Sequence, residues 1–146
     1  MMRLYSCLWK SISSLLASRF IPPLTNDLYK GQMGRIGVIG GSPDYCGAPY
    51  YSGEAALRFG ADLCSIYCAE EAALPIKSYS PELMVTPFYS YRGDLERNTC
   101  SFSTHLITKA IPRLHSFVIG PGLGRDEKVL AELMVVLETL LNNNKS

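Results

Sequence analysis

Two kinds of hydrophobic patterning alternate along the chain. Arg35–Ile39 (RIGVI), Leu63–Cys68 (LCSIYC), Leu83–Thr86 (LMVT) and Ser116–Ile119 (SFVI) are short β-branched or apolar runs that predict buried strands. Between them lie stretches with helical spacing. Ala48–Gly60 (APYYSGEAALRFG) predicts a helix, with Pro49 in its first turn and Gly60 at its stop. Glu70–Tyr79 predicts a second, and Pro75 moves its expected start to about Ala73 or Leu74. Thr104–Leu114 reads as a short helix broken at Pro112. Asp126–Leu141 reads as a helix whose apolar face is Val129, Leu130, Leu133, Leu137, Leu140 and Leu141. Pro87 is expected to end the third strand, and Phe88–Ser103 to be a long surface connection. Strand, helix and strand in short succession imply right-handed parallel crossovers and an α/β sheet.

Glycines follow two of these strands. Gly40–Gly41–Ser42 follows the first, and Gly120–Pro121–Gly122–Leu123–Gly124–Arg125–Asp126 follows the fourth. Each leads towards a helix. In an open α/β sheet such loops lie at the carboxyl ends of strands, where ligands bind, and free helix-start N–H groups favour an anion such as phosphate. Neither loop carries G-x-G-x-x-G or G-x-x-x-x-G-K-[ST]. The competing reading is that the glycines only make tight strand-to-helix turns. Two such loops on parallel strands of one sheet would open on the same edge, which favours a shared cleft.

Composition narrows the class. A length of 146 residues fits one domain, and the net charge of +1 gives no electrostatic case for nucleic acid or an acidic membrane surface. No apolar run reaches transmembrane length. Cys7, Cys46, Cys64, Cys68 and Cys100 form neither a C-x-x-C pair nor a zinc spacing, so buried small hydrophobes in a reducing compartment are expected. Met1–Phe20 is basic, contains five serines and no acid, and repeats Leu4, Leu8, Ile12, Leu15 and Leu16 at helical spacing. That describes either a mitochondrial transit peptide or a leading helix, stopped at Ile21–Pro22–Pro23–Leu24. The expected division is residues 1–20 as that leader and 21–146 as one α/β unit.

The sequences KGQMGRIGVIGGSPDYCGAPYYSGEAALRFGADL, IKSYSPELMV and RLHSFVIGPGLGRD, with IPPL upstream, resemble the ATP-dependent NAD(P)H-hydrate dehydratases. The resemblance covers about Ile21 to Leu141. It implies a ribokinase-like three-layer α/β/α fold with a mainly parallel sheet. It implies repair of hydrated NADH and NADPH, with ATP as co-substrate and Mg²⁺ as cofactor. Phosphorylation of the added hydroxyl makes it a leaving group, and elimination restores the dinucleotide. The implied partners are hydrated NADH or NADPH and ATP, with no nucleic acid, no membrane and room for a homo-oligomer. The implied compartment is mitochondrial or cytoplasmic.

Carried over by motif, Gly47 and Ala48 meet the substrate at the first helix, and Gly122 and Gly124 belong to the loop contacting the hydrated dinucleotide. Tyr45, Lys30 and Arg125 are weaker candidates. Thr86 stands where the family pattern implies a histidine. The family's acidic catalytic residue lies in a G-[ST]-G-D motif, which does not occur between Met1 and Ser146. The resemblance implies that this acid lies beyond Ser146. No catalytic residue is therefore assigned, and the chain corresponds to the N-terminal portion of such an enzyme, inactive alone. A parallel sheet reduced to four strands is expected to expose apolar surface around Val118 and on Leu133–Leu141. Two other readings remain: a non-catalytic nucleotide- or partner-binding module of the same fold, and a small-molecule kinase of that fold.

Overall fold

A computed structural model describes residues 23, 25–92 and 109–143. The amphipathic Met1–Phe20 stretch, Cys7, Cys100, the centre of the Phe88–Ser103 connection and the start of Thr104–Leu114 lie outside the described residues. Ser146 lies outside them too, so the expectation of a catalytic acid beyond it has no structural counterpart among the described residues. Strand β1 (Arg35–Ile39) leads to helix α1 (Gly47–Phe59), β2 (Leu63–Ala69), α2 (Glu70–Tyr79) and β3 (Met84–Tyr89). A 3₁₀ turn (Ile111–Arg113) precedes β4 (Ser116–Ile119) and α3 (Glu127–Asn143). The sheet is parallel in the order β3-β2-β1-β4. The expected α/β class is borne out.

This order positions everything that follows. From β1 the chain steps outward through β2 to β3, with α1 and α2 packed against each other. It then returns to the other side of β1 as β4. The exits of β1 and β4 are thus adjacent across the point where strand order reverses, the usual crevice of doubly wound sheets.

The core explains why these segments hold. Val85, Ile66 and Val38 are buried and paired in one row across the sheet. Gly53 of α1 lies so close to β2 that a Cβ there would meet Leu83 at 2.9 Å and Cys64 Sγ at 3.2 Å. Full burial of each aliphatic side chain in that row contributes roughly 1.5–3 kcal/mol. The same row continues to Val118 of β4, which is 45% exposed. Of the expected α3 face, Val129 and Leu133 are buried and Leu140 is partly so, joined by Val136. Leu130, Leu137 and Leu141 face outward, as do Met134 and Val135. Val118 and the outer face of α3 are therefore exposed as expected, although Leu133 is not.

Two proline expectations are corrected. Helix α2 begins at Glu70, with Pro75 inside it. Glu70 and Glu71 suit the positive end of the helix dipole, and buried Ala72, Ala73 and Ile76 dock the helix. That docking outweighs the hydrogen bond which Pro75 cannot donate. Strand β3 likewise runs through Pro87 to Tyr89. It is an edge strand, and its pairing with β2 slips between Cys68 and Ala69, so a residue lacking N–H is tolerated.

Cys64 and Cys68 share one face of β2, are fully buried and are free thiols. Burial pushes the Cys64 thiol up to about 11 and, aided by Cys46, the Cys68 thiol up to about 12. Because the thiolate is the reactive form, both are expected to resist iodoacetamide at pH 8 in the folded chain. Peptide mapping should show them labelled only when denaturant is added.

Candidate functional site

The two glycine loops meet. Gly41 N–H donates to Pro121 O at 3.0 Å, and Gly40 N–H donates across to Tyr67 O at 2.9 Å. The turn Ser42–Tyr45 closes on itself, with Tyr45 N–H on Ser42 O at 3.1 Å and Ser42 N–H on Tyr45 O at 3.4 Å. In the second loop Gly120 N–H donates to Ile39 O at 2.9 Å and Leu123 N–H to Gly120 O at 3.0 Å. These amides join the loops and the sheet, so they do not form a phosphate cradle. The tight-turn reading of Gly40 and Gly41 is the one the hydrogen bonds support.

A cleft of about 350 Å³ opens between the loops, lined by Ser42, Pro43, Asp44, Tyr45, Tyr91, Gly124 and Arg125. Gly122 forms the junction. Its backbone is left-handed (φ +63°), and a Cβ there would lie 2.7 Å from Tyr45 O and 3.1 Å from Pro49 Cδ. Gly124 (φ +81°) is as tightly placed, since a Cβ there would lie 2.7 Å from Tyr91 Oη and 3.3 Å from Ser42 Cβ.

The two helix starts differ. Asp126 caps α3 with its own carboxylate, Oδ1 accepting N–H groups from Lys128 and Val129 at 3.0 Å each. Helix α1 has no side-chain cap and no acid in its first turn. Its positive end, at Gly47 and Ala48, is the one open to an anion. Among the described residues no group of three or more His, Cys, Asp or Glu side chains could hold a metal ion.

Gly122, Gly124, Tyr45 and Arg125, all expected from the sequence, are thus brought together. Gly47 and Ala48 follow directly at the start of α1, half-buried and exposed respectively. Lys30 is not brought there. It sits ahead of β1, where neighbouring Gly31 and Met33 donate N–H groups to Asp62 Oδ2 at 2.9 and 3.0 Å. Asp62 precedes β2, so this turn lies at the amino end of the sheet, with the length of β1 between Lys30 and the cleft.

The contribution of β3 was not foreseen from the sequence. Tyr89 is buried and donates its hydroxyl to Gly41 O at 2.6 Å. Tyr91 donates its hydroxyl to Leu123 O. Each tyrosine therefore pins one glycine loop. The signal available was their spacing of two residues, which puts both rings on one face of an extended chain.

Burial, then the Asp126, Glu71 and Asp44 carboxylates, push the Tyr91 hydroxyl up and keep it a donor. Glu71 Oε1 fixes the same exit, accepting Ser90 Oγ–H at 3.0 Å and the Tyr91 and Arg92 N–H groups at 3.2 Å each. Burial alone would raise the Glu71 carboxyl, but these bonds and its own N–H outweigh it and hold it below the ordinary 4.5. A depressed folded value gives stability that is present above the unfolded value and lost as pH falls through the folded one. Glu71→Gln is expected to flatten that acid limb in melting curves recorded from pH 6 to pH 3.

A parallel sheet with its switch point at two joined glycine loops defines a doubly wound α/β fold, and solved structures place it more narrowly. A ribokinase-like superfamily protein from Enterococcus faecalis superposes with a TM-score of 0.63 at 31% identity, over 81% of this chain and 37% of that one. A Streptococcus mutans protein gives 0.63 at 26% identity, over 84% and 40% respectively. The fold is ribokinase-like. The NAD(P)H-hydrate dehydratase family profile matches residues 36–146, and the chain belongs to that family. Mouse and human ATP-dependent (S)-NAD(P)H-hydrate dehydratases are each 46% identical, over 85% and 84% of this chain. The Entamoeba histolytica protein of that name is 43% identical over 92% of it. The aligned region is 34%, 33% and 41% of those three proteins, so the chain spans about a third of the mouse and human relatives.

Proposed function

We propose that this chain supplies the dinucleotide-side wall of an ATP-dependent (S)-NAD(P)H-hydrate dehydratase. The observation that carries it is the joining of the two family-matched loops into one cleft at the switch point of the sheet. Gly122 and Gly124 let the second loop pack directly on Tyr45, Pro49, Ser42 and Tyr91, which sets the shape of the surface offered to the hydrated dinucleotide. Gly47 and Ala48 present the open positive end of α1 to its phosphates. Tyr45 and Arg125 border the cleft, where an exposed phenol can stack on a ring and a guanidinium can pair with phosphate.

ATP is the co-substrate in this reading, in line with the names of the mouse, human and Entamoeba relatives. Among the described residues no three His, Cys, Asp or Glu side chains group together to hold Mg²⁺. In this reading the ion is held largely by the phosphates of the co-substrate. Phosphorylation of the ring hydroxyl and its elimination require an acid that Met1–Ser146 does not offer in a G-[ST]-G-D motif. This chain's own contribution is to bind and orient the substrate. A mitochondrial location is supported in this reading by the basic, acid-free Met1–Phe20 stretch if it is a transit peptide, and a cytoplasmic one fits if it is a native helix.

The test is calorimetric titration of the chain with the S epimer of hydrated NADPH. Saturable binding is expected, weakened at least tenfold by Gly122→Val, which forces the loops apart. Absence of saturable binding would refute the reading. A non-catalytic binding module shares the cleft and differs only in lacking turnover in the presence of every other component.

A further inference from the structure

Ser42 lies at the floor of the cleft, 2% exposed. Its main-chain groups are occupied by the turn, the N–H on Tyr45 O and the carbonyl accepting from Tyr45 N–H. Its Oγ is buried and has no hydrogen-bond partner. Such a hydroxyl is destabilising, and folded proteins retain few of them. The space that a Gly124 side chain would fill comes within 3.5 Å of this Oγ and 2.7 Å of Tyr91 Oη. Any side chain at 124 would therefore crowd Tyr91 Oη and press on Ser42, so glycine keeps the second loop close against the Ser42 hydroxyl.

We propose that Ser42 is a ligand-contacting residue, its Oγ hydrogen-bonding a ribose hydroxyl of the bound dinucleotide. The choice of a neutral hydroxyl over a phosphate comes from Asp44. That carboxylate lines the same cleft and would repel a phosphate beside Ser42, whereas a ribose diol can accept from Ser42 and donate to Asp44. Arg125 is the cation lining this cleft and serves the charged part of the ligand.

This inference rests on the dehydratase reading above, and one pair of measurements separates their failures. The full chain and its S42A variant are titrated with the S epimer of hydrated NADPH, and both are melted without ligand. S42A is expected to bind about tenfold more weakly, the effect of one lost hydrogen bond from a buried donor. Its melting temperature should be unchanged or higher by about 2–4 °C, because an unsatisfied polar group has been removed. Inorganic phosphate should not compete for the Ser42-dependent part of the affinity. Equal affinity of the two proteins overturns the inference alone, as does competition by phosphate that disappears in S42A. Weaker binding with a lowered melting temperature also overturns it, since the hydroxyl would then be structural. No binding by the unaltered chain overturns both readings.

Discussion

Gly40→Ala is expected to lower the melting temperature of the chain by roughly 10 °C, the equivalent of about 3 kcal/mol. A Cβ at this position would fall 2.1 Å from Pro121 O and 3.0 Å from Pro121 C. Both obstacles are main chain, so no rotamer change relieves them. The adjacent hydrogen bond from Gly41 N–H to Pro121 O is the direct link between the loops, and it must break as they separate. Gly60→Ala is the control. Gly60 closes α1 in the left-handed region (φ +117°), yet nothing lies within 4 Å of its would-be Cβ. Its cost is backbone conformation alone, about 1 kcal/mol. If the two variants melt together, the loop junction is not the tight contact described.

The second large effect concerns turnover. The purified chain, Met1–Ser146, is expected to produce no ATP-dependent recovery of NADH absorbance from the S epimer of hydrated NADH. The nearest look-alike to a catalytic acid motif is Gly122–Leu123–Gly124–Arg125–Asp126. There the Asp126 carboxylate is already committed to two N–H groups at the start of α3. A carboxylate held in this way serves the start of its own helix. Recovery above that of a heat-denatured sample would contradict this expectation, and Asp126→Asn would then be the first variant to examine.

Much of this was legible from residue order. The apolar runs of β1, β2 and β4 and the Pro49 and Gly60 limits of α1 appear where local chemistry puts them. Local signals failed where tertiary contacts outweighed them. Pro75 and Pro87 read as terminators, but docking through Ala72, Ala73 and Ile76 and an edge position at β3 absorbed their missing N–H groups. Lys30 reads as a weaker candidate because it opens the motif that holds the first glycine loop. A strand carries its two ends to opposite sides of the sheet, which spacing along the chain does not reveal.

The glycine loops were found, but the use of their amides was not. Whether an N–H faces a ligand or a carbonyl from another strand depends on strand order, and Pro121 and Tyr67 supply those carbonyls from the β4 exit and from β2. The tyrosine pins were hidden for the same reason. Tyr89 and Tyr91 belong to a stretch without clear periodicity, and only the sheet places them over Gly41 and Leu123. The family resemblance supplied what physics could not, a proposal for the ligand. Geometry supplied what the resemblance did not, namely Ser42, Tyr91 and Glu71.

Ser42–Ala48 and Gly120–Asp126, proposed as one dinucleotide-binding surface, should be protected together by ligand. Amide hydrogen exchange, read by mass spectrometry with and without the S epimer of hydrated NADPH, tests it most directly. Slowed exchange is expected in peptides covering both segments together, with unchanged exchange in the Lys30–Gly34 turn at the far end of the sheet. Protection of only one loop, or protection centred on Lys30, would contradict it.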